Sequence, residues 1–414
     1  MPNTPFASLS AAVRANDVDA AGQLLQAHPQ LSARLNEAAP DGAFGETVLL
    51  SAVASENREM VDLLLRHGAD IDARSHWWAG SFGVLDGCDP EFAAFLIERG
   101  ATVDAHAAAR LGMLDVLQRH VAANPDVVRA RGGDGQTPLH FASTVEIATY
   151  LLAHGADMNA LDVDHESTPA QYMVRDRQDI ARLLVTRGCT TDILMAAALD
   201  ATDLVRRYLD DDPATVQTRV SRKFFPMRHP HAGGSIYTWT LGSEKSAHVI
   251  AHEFGHEDVF QLLMQRSSDT TKLVVACEVG DDALVRSLLQ ENAYLARSLS
   301  SGEQSRIVGA AQGNDTAAVR LMIDAGWPLD ARGDLGGTAL HHAAWMGNAE
   351  IVRDLLEHGA PVGIRGDTYD MTPLGWALHG SEHSWRKDTG DYDEVVQLLL
   401  DAGAVMPTLT TEIP

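Results

Sequence analysis

Towards the C-terminus, the hydrophobic and polar positions follow a helical period that is interrupted once. Apolar residues predict a short first helix over 339–345, and Gly347 ends it, because glycine readily adopts the backbone turn that a break requires. Thr338 is in position to cap this helix. A second helix is predicted from Ala349 to a capping Gly359, and its apolar face carries Ile351, Val352, Leu355 and Leu356. One such pair is too thin to bury its own apolar face, so it must stack on neighbouring pairs.

The same pattern recurs along most of the chain with a nearly fixed period. Residues 134–156 read DGQTPLHFASTVEIATYLLAHGA, and residues 334–360 read DLGGTALHHAAWMGNAEIVRDLLEHGA. The glycines that close the second helix are 32 or 33 residues apart in three pairs, Gly68 and Gly100, Gly155 and Gly188, and Gly326 and Gly359. This period, with T-P-L-H-x-A and L-L-x-x-G-A, is typical of ankyrin arrays, and the chain resembles the ankyrin-repeat family over nearly all of its length. The resemblance implies an all-α solenoid of about twelve helix-turn-helix units, acting as a scaffold that binds a protein partner.

Two insertions interrupt the array. The repeats predict N-terminal repeats over 1–220 and C-terminal repeats over 243–414, with an inserted loop at 221–242 between them. A second loop insertion lies in the last repeat at 379–393, where the closing glycines are 44 residues apart instead of 33. We expect the repeats on both sides of the first insertion to form one continuous solenoid.

The first insertion has two local features. Gly233 and Gly234 predict a turn before a short strand-like run, SIYTWT. His229 and His231 alternate along the chain and could place two imidazoles on one side of it. Such a pair is a weak candidate for holding a metal or an anion, and a solvated loop is the plainer interpretation.

Composition constrains the partner and the compartment. The net charge of −25 opposes binding to nucleic acid and favours a cationic partner surface, although solubility alone also explains it. No apolar run is long enough to span a membrane, and the N-terminus lacks the features of a secretion signal, so we expect a cytoplasmic protein. The three cysteines have no metal-binding spacing and are expected to be reduced and mostly buried: Cys88, Cys189 and Cys277. No cofactor is expected.

One catalytic motif needs a separate interpretation. Residues 252–256 read HEFGH and match H-E-x-x-H, which binds zinc only when one continuous helix presents both histidines. Aligned with the repeat, Gly255 lies at the break between two helices, so the motif residues His252, Glu253 and His256 do not share a face. We therefore interpret the motif as a coincidence and predict no metal there. The resemblance also implies that two T-P-L-H-type histidines bond to the backbone of the neighbouring loop: His140 and His341.

The residues that depart from the ankyrin pattern are the candidate contacts. Members of this family bind mostly through the loop tips between repeats and through the residues just before the interhelical glycine, all on the concave side. Here these positions and the two insertions carry aromatic and charged residues of the kinds that anchor interfaces. The predicted ligand- or partner-binding residues are Trp77, Trp78, His165, Glu166, Arg175, Asp176, Trp239, Trp345, Met346, His379, Trp385 and Arg386.

Two other functions remain open from the sequence. Both insertions carry basic and aromatic residues within an acidic protein, which would also suit a small polar or anionic ligand, such as a carbohydrate, between the inserted loops and the concave groove. An enzyme of the hydrolase or isomerase type would use acid–base residues from this set: Glu166, Asp176, His229, His231, His379 and His383. No nucleophile elbow, phosphate-binding loop or complete metal motif supports catalysis. A purely structural or antitoxin-like accessory role fits the elaborate loops less well.

Overall fold

The computed structural model describes residues 4–333 and 336–406. The regular elements in this part of the chain are helices, as the repeat pattern predicted. The chain forms two compact units. Unit 1 comprises Met1–Leu199 and Thr218–Lys245, and unit 2 comprises Asp200–Gln217 and Ser246–Pro414. The insertion at 221–242, called the inserted segment below, therefore belongs to unit 1, whereas the insertion at 379–393 belongs to unit 2.

Unit 1 contains twelve α-helices within its described residues. They are α1 (Pro5–Arg14), α2 (Val18–Ala27), α3 (Val48–Ala54), α4 (Arg58–Arg66), α5 (Pro90–Glu98), α6 (Ala105–Arg110), α7 (Leu114–Ala123), α8 (Pro138–Phe141), α9 (Val145–Ala153), α10 (Pro169–Met173), α11 (Gln178–Thr186) and α12 (Ile193–Ala198). Ten of them form five successive pairs; α5 is the second helix of a repeat whose first half is irregular, and α12 is the last α-helix of the unit.

Unit 2 contains a further twelve α-helices within its described residues. They are α13 (Thr202–Asp211), α14 (Ala247–Glu253), α15 (Glu257–Gln265), α16 (Asp269–Val279), α17 (Asp282–Glu291), α18 (Ser301–Gln304), α19 (Arg306–Gln312), α20 (Thr316–Asp324), α21 (Ala339–Trp345), α22 (Ala349–Glu357), α23 (Pro373–His383) and α24 (Tyr392–Asp401). The predicted bounds of α21 and α22 are confirmed, and Gly347 between them has a left-handed φ of +64°.

Histidine side chains fasten one repeat to the next, as the resemblance implied. The backbone N–H of Thr137 donates to His140 Nδ1 at 3.1 Å, and His140 Nε2 then donates to the Ser167 carbonyl of the following loop at 3.2 Å. His341 repeats this arrangement in unit 2, with the Met371 carbonyl as the acceptor at 3.2 Å. Burial lowers the pKa of His140 to about 3 and that of His341 to about 4, so both are neutral structural groups near pH 7.

The helix break predicted within HEFGH is confirmed. His252 and Glu253 end α14, Gly255 has a left-handed φ of +74°, and His256 is the N-cap of α15. The zinc-protease motif requires its three side chains on one continuous helix, and these three do not lie on one.

Two local predictions are wrong. The SIYTWT run is not strand-like, because Thr238–Gly242 forms a short π-helical turn that closes on local carbonyls. The first residues of the insertion at 379–393 are not a loop, because α23 continues to His383. The cysteine prediction is confirmed: Cys88, Cys189 and Cys277 are all buried and form no disulfide. No helix in the described part of the chain is long and apolar enough to cross a membrane.

Candidate functional site

Backbone hydrogen bonds join the loops between the repeats of unit 1 into a row. We call residues 74–82, 131–137 and 161–168 fingers 1, 2 and 3. The Asp134 N–H of finger 2 donates to the Gly80 carbonyl of finger 1 at 3.3 Å, and the Asp134 carbonyl accepts from Val163 of finger 3 at 2.7 Å. The inserted segment continues the row, because Gly233 N–H donates to the Asp164 carbonyl at 3.0 Å.

Finger 3 holds the inserted segment through side chains as well. One carboxylate oxygen of Glu166 accepts the backbone N–H groups of Arg228 at 2.9 Å and His229 at 2.8 Å. His165 Nδ1 lies 2.8 Å from the Gly234 carbonyl and must donate to it, because a carbonyl oxygen only accepts. Arg175 donates to the Thr240 carbonyl. The sequence predicted Glu166, His165 and Arg175 as contacts, and the structure shows that they contact the chain's own insertion.

A buried tyrosine anchors the other end of the inserted segment. Tyr237 is fully buried, and its hydroxyl donates to Asp192 Oδ2 at 2.8 Å. Phe225 packs edge-on against it, with ring centroids 5.3 Å apart. Because Asp192 also caps α12 by accepting from Met195 N–H at 2.9 Å, this contact ties the insertion to the repeat framework.

Anchoring the segment brings aromatic rings together at the surface. Trp78 of finger 1 stacks on His229 with centroids 4.4 Å apart and planes 14° from parallel, and His231 lies edge-on to Trp78 at 6.0 Å. Trp239 lies 4.7 Å from His165. Trp78 remains 39% exposed and Trp239 58% exposed. We call Trp78, His229, His231 and Trp239 the aromatic surface. Trp77 is half-buried behind it, where its ring contacts Phe44.

Carboxylates cluster beneath the aromatic surface. Asp164 and Asp134 approach His165 Nε2 to 3.6 and 3.9 Å, and the three side chains are only 7, 14 and 12% exposed respectively. Burial raises the pKa of Asp134 to about 6; His165 opposes this shift, and the like charges of Asp164 and Asp162 add to it. Burial and these same carboxylates raise the pKa of Tyr172. The cluster therefore concentrates negative charge that nearby donors only partly compensate.

Unit 2 has its own group of predicted contact residues. Trp345 is half-buried and lies 5.4 Å from His379, which lies 4.3 Å from His383. Trp385 is 74% exposed, and Arg386 is partly buried. These residues stay predicted contacts.

The prediction of Met346 as a contact is wrong. Its side chain is only 4% exposed, because the insertion folds across the end of α21. Asp391 N–H donates to the Gly347 carbonyl at 2.8 Å, and the Tyr392 hydroxyl donates to the Trp345 carbonyl at 2.9 Å.

Within neither unit do the predicted acid–base residues form a catalytic set. The Glu166 carboxylate is occupied by backbone N–H groups, and Asp176 is exposed beside Arg175. His229 and His231 lie in unit 1, whereas His379 and His383 lie in unit 2. A cavity of about 230 Å³ in unit 1 lies elsewhere, against Arg74 and its carboxylate partners, and none of the predicted residues lines it.

Sequence reasoning missed Asp134 as a member of the cluster. It reads as an ordinary turn residue, and its φ of +53° is consistent with that. A signal was present in the register of the repeats. Asp134 stands three residues before Thr137, and His165 stands three residues before Thr168, so the two occupy the same place in adjacent fingers.

Comparison with known families gives the same architecture. The family model for ankyrin repeats in three copies matches residues 105–195 and 307–408, and the model for a single ankyrin repeat matches residues 44–76. Together these matches cover more than half of the chain. The chain belongs to the ankyrin-repeat family. The inserted segment, 221–242, lies outside the matched residues, so the most elaborated part of unit 1 is not part of the family pattern.

The similar proteins include two that match this chain over only part of their own length. Transient receptor potential cation channel subfamily A member 1 of Homo sapiens is 24% identical over 423 residues, covering 87% of this chain and 34% of the channel. Palmitoyltransferase Hip14 of Drosophila melanogaster is 38% identical over 71 residues, covering 17% of this chain and 11% of the transferase. This chain thus spans about a third of the channel and far less of the transferase. The crystal structure of human ASB11 ankyrin repeat domain covers 73% of this chain and 99% of its own at 17% identity, with a TM-score of 0.29, too low for a detailed comparison.

Proposed function

We propose that this ankyrin-repeat protein binds a protein partner through the aromatic surface of unit 1. Ankyrin repeats are in general protein-interaction scaffolds, and what this chain adds to the scaffold is the inserted segment. The single observation that carries the proposal is that this segment is fastened to finger 3 and to α12 while its own Trp239 and the neighbouring Trp78 stay 58% and 39% exposed.

The anchors make the aromatic surface suited to binding. A flexible loop must lose conformational freedom when a partner orders it, and this loss weakens binding. Here Glu166, His165 and Tyr237 already hold the segment. Tryptophan is enriched among the residues that dominate binding energies, so Trp78 and Trp239 are the expected anchors for a partner.

Charge indicates the chemistry of the partner. The inserted segment contains three basic residues and no acidic one, although the chain as a whole has a net charge of −25. Arg222, Lys223 and Arg228 are all exposed. A partner with acidic residues next to an apolar patch would complement this local charge, because opposite potentials steer association and penalise wrong partners.

Comparative affinity capture from the native host tests the proposal. Wild type is compared with the double variant Trp78→Ala/Trp239→Ala, and the control is Tyr294→Ala, which removes an exposed aromatic side chain of unit 2 that is 65% exposed. We expect the same partner with wild type and the control, and at least a tenfold lower recovery with the double variant, since hot-spot truncations cost about 2 kcal/mol or more.

Equal recovery with all three proteins contradicts the proposal. Recovery of a bound metabolite by mass spectrometry, with no protein that depends on the two tryptophans, would instead support the small-ligand hypothesis.

A further inference from the structure

We propose that Asp134, Asp164 and His165 form a binding site for a divalent transition-metal ion such as Zn²⁺. Each residue offers one ligand atom, and the three atoms all lie within 4.8 Å of one another. The inference does not depend on the identity of the partner, because it concerns the cluster beneath the aromatic surface.

The separations suit a shared cation better than direct hydrogen bonds. His165 Nε2 is 3.6 Å from Asp164 Oδ2 and 3.9 Å from Asp134 Oδ2. An N–H···O hydrogen bond is about 2.7–3.2 Å long, so a proton on Nε2 would have no well-placed acceptor among these oxygens. Ligands bonded to a tetrahedral zinc ion at about 2.1 Å are about 3.4 Å apart, close to the separations found here.

The imidazole is held in the orientation that a metal requires. Because His165 Nδ1–H donates to the Gly234 carbonyl at 2.8 Å, the neutral ring presents its lone pair on Nε2, towards the two carboxylates. A metal-binding histidine usually donates the N–H of its other ring nitrogen to a carboxylate, a water molecule or a backbone carbonyl, as here.

Neighbouring groups orient the carboxylates and leave one buried oxygen unused. Asp164 Oδ1 accepts from Gly233 N–H at 3.1 Å, and Asp162 accepts from the backbone N–H groups of His165 and Ser167 at 2.7 Å each. Asp134 Oδ1 is buried and makes no hydrogen bond of acceptable geometry. The Tyr172 hydroxyl and the Trp77 indole N–H are also buried without a hydrogen bond of acceptable geometry, although they lie near enough to Asp162 and Asp134, respectively, to oppose the rise in pKa that burial causes in these carboxyls. A bound metal ion with a water ligand would supply the missing partners of these oriented oxygens and unsatisfied atoms.

The inserted segment is part of this proposed site. It supplies the Gly234 carbonyl that orients His165 and the Gly233 N–H that orients Asp164. A metal ion bound here would therefore stabilise the segment in its docked position, since a ligand that binds one state favours that state.

Metal titration of the full chain tests the proposal. After treatment with EDTA and dialysis, ZnCl₂ is titrated by calorimetry, and bound zinc is counted by elemental mass spectrometry. We expect one ion per chain, bound at least tenfold more weakly by Asp134→Asn, which keeps the shape and suits the left-handed φ of +53°. The control, His154→Gln, removes an exposed imidazole at the end of α9, outside the cluster and the inserted segment, and should leave the affinity unchanged.

A second measurement distinguishes loss of the metal site from loss of the fold. Co²⁺ is substituted for zinc, and the visible d–d bands of a four- or five-coordinate ion should appear with wild type and disappear with His165→Gln while circular dichroism stays that of wild type. Zinc binding that Asp134→Asn does not weaken, or that the His154→Gln control weakens equally, would overturn the assignment. Absence of any bound equivalent in wild type would overturn it as well.

Discussion

Glu166 is the residue on which the docking of the inserted segment most directly depends, so Glu166→Gln is the most informative perturbation. One oxygen of its carboxylate accepts two backbone N–H groups, from Arg228 and His229, at 2.9 and 2.8 Å. The Gln side chain keeps the shape and one acceptor oxygen but removes the charge. The φ of +43° at this position is equally unfavourable for both residues, so the backbone contributes little to the difference.

The magnitude follows from the two hydrogen bonds. A bond to a charged group contributes about 1 kcal/mol more than a neutral one, and two such bonds give about 2 kcal/mol. The Glu166 side chain is only 14% exposed, so solvent screens these bonds little. The Arg228 guanidinium is 83% exposed and 3.8 Å away, so its ion pair adds little. A loss of about 2 kcal/mol corresponds to about a 30-fold increase in opening of the segment.

Hydrogen exchange measured by mass spectrometry gives this opening directly. Peptides covering 226–232 should exchange about 30-fold faster in Glu166→Gln, whereas peptides of α9 should not change. Glu146→Gln, which removes an exposed carboxylate in the first turn of α9, is the matched control and should exchange like wild type. Unchanged exchange at 226–232 in Glu166→Gln would refute the account of how the segment is held.

Three further predictions concern stability. His342 is 5% exposed, and burial lowers its pKa from 6.5 to about 4, so its contribution to stability is complete above pH 6.5 and is lost as the pH falls towards 4. In urea titrations, the wild-type protein should therefore lose about 2 kcal/mol more unfolding free energy between pH 7.5 and pH 5 than His342→Leu does. An equal loss in both proteins would contradict this. Tyr237→Phe removes the hydroxyl that donates to Asp192 at 2.8 Å and should destabilise unit 1 by about 1–3 kcal/mol in thermal unfolding, whereas a wild-type midpoint would show that this anchor contributes nothing. Leu340→Ala, at a fully buried position of α21, should lower the free energy of unfolding by about 2–5 kcal/mol and speed up hydrogen exchange around α21. Fingers 2 and 3 should exchange as in wild type, because solenoid repeats contact mainly their neighbours.

The repeats could be predicted from the sequence because their signals are local. The N-cap threonine, the interhelical glycine and the closing glycine all lie within one repeat, and they place the ends of α21 and α22 at the observed residues. The role of His140 also follows from its repeat, since its acceptor at Ser167 stands one residue before the next N-cap threonine, as the Met371 acceptor of His341 does.

The inserted segment could not be predicted in the same way, because its conformation depends on distant partners. SIYTWT alternates as a strand would, but a strand needs a neighbouring edge to pair with. Here Tyr237 is instead buried against Asp192, and the following residues close a π-helical turn. Glu166 looked like a contact for an outside ligand, and only the position of residues 228 and 229 shows that it binds its own chain.

The same limit applies to the candidate site. His165 was identified from its loop tip, but the site also needs Asp134 from the preceding finger, and this pairing depends on how adjacent fingers stack. Met346 was misjudged for a related reason, because the insertion that covers it lies about 40 residues further along the chain.

Site-specific photo-crosslinking in the native host tests the central claim most directly, namely that the interruption of the repeats in unit 1 is where a partner binds. A photoreactive amino acid replaces Trp239 in one protein and Arg119 in another; the Arg119 side chain is 72% exposed on α7, within an uninterrupted repeat. We expect a discrete crosslinked partner from position 239 and none from position 119. Equal crosslinking from both positions, or crosslinking from position 119 alone, would contradict it.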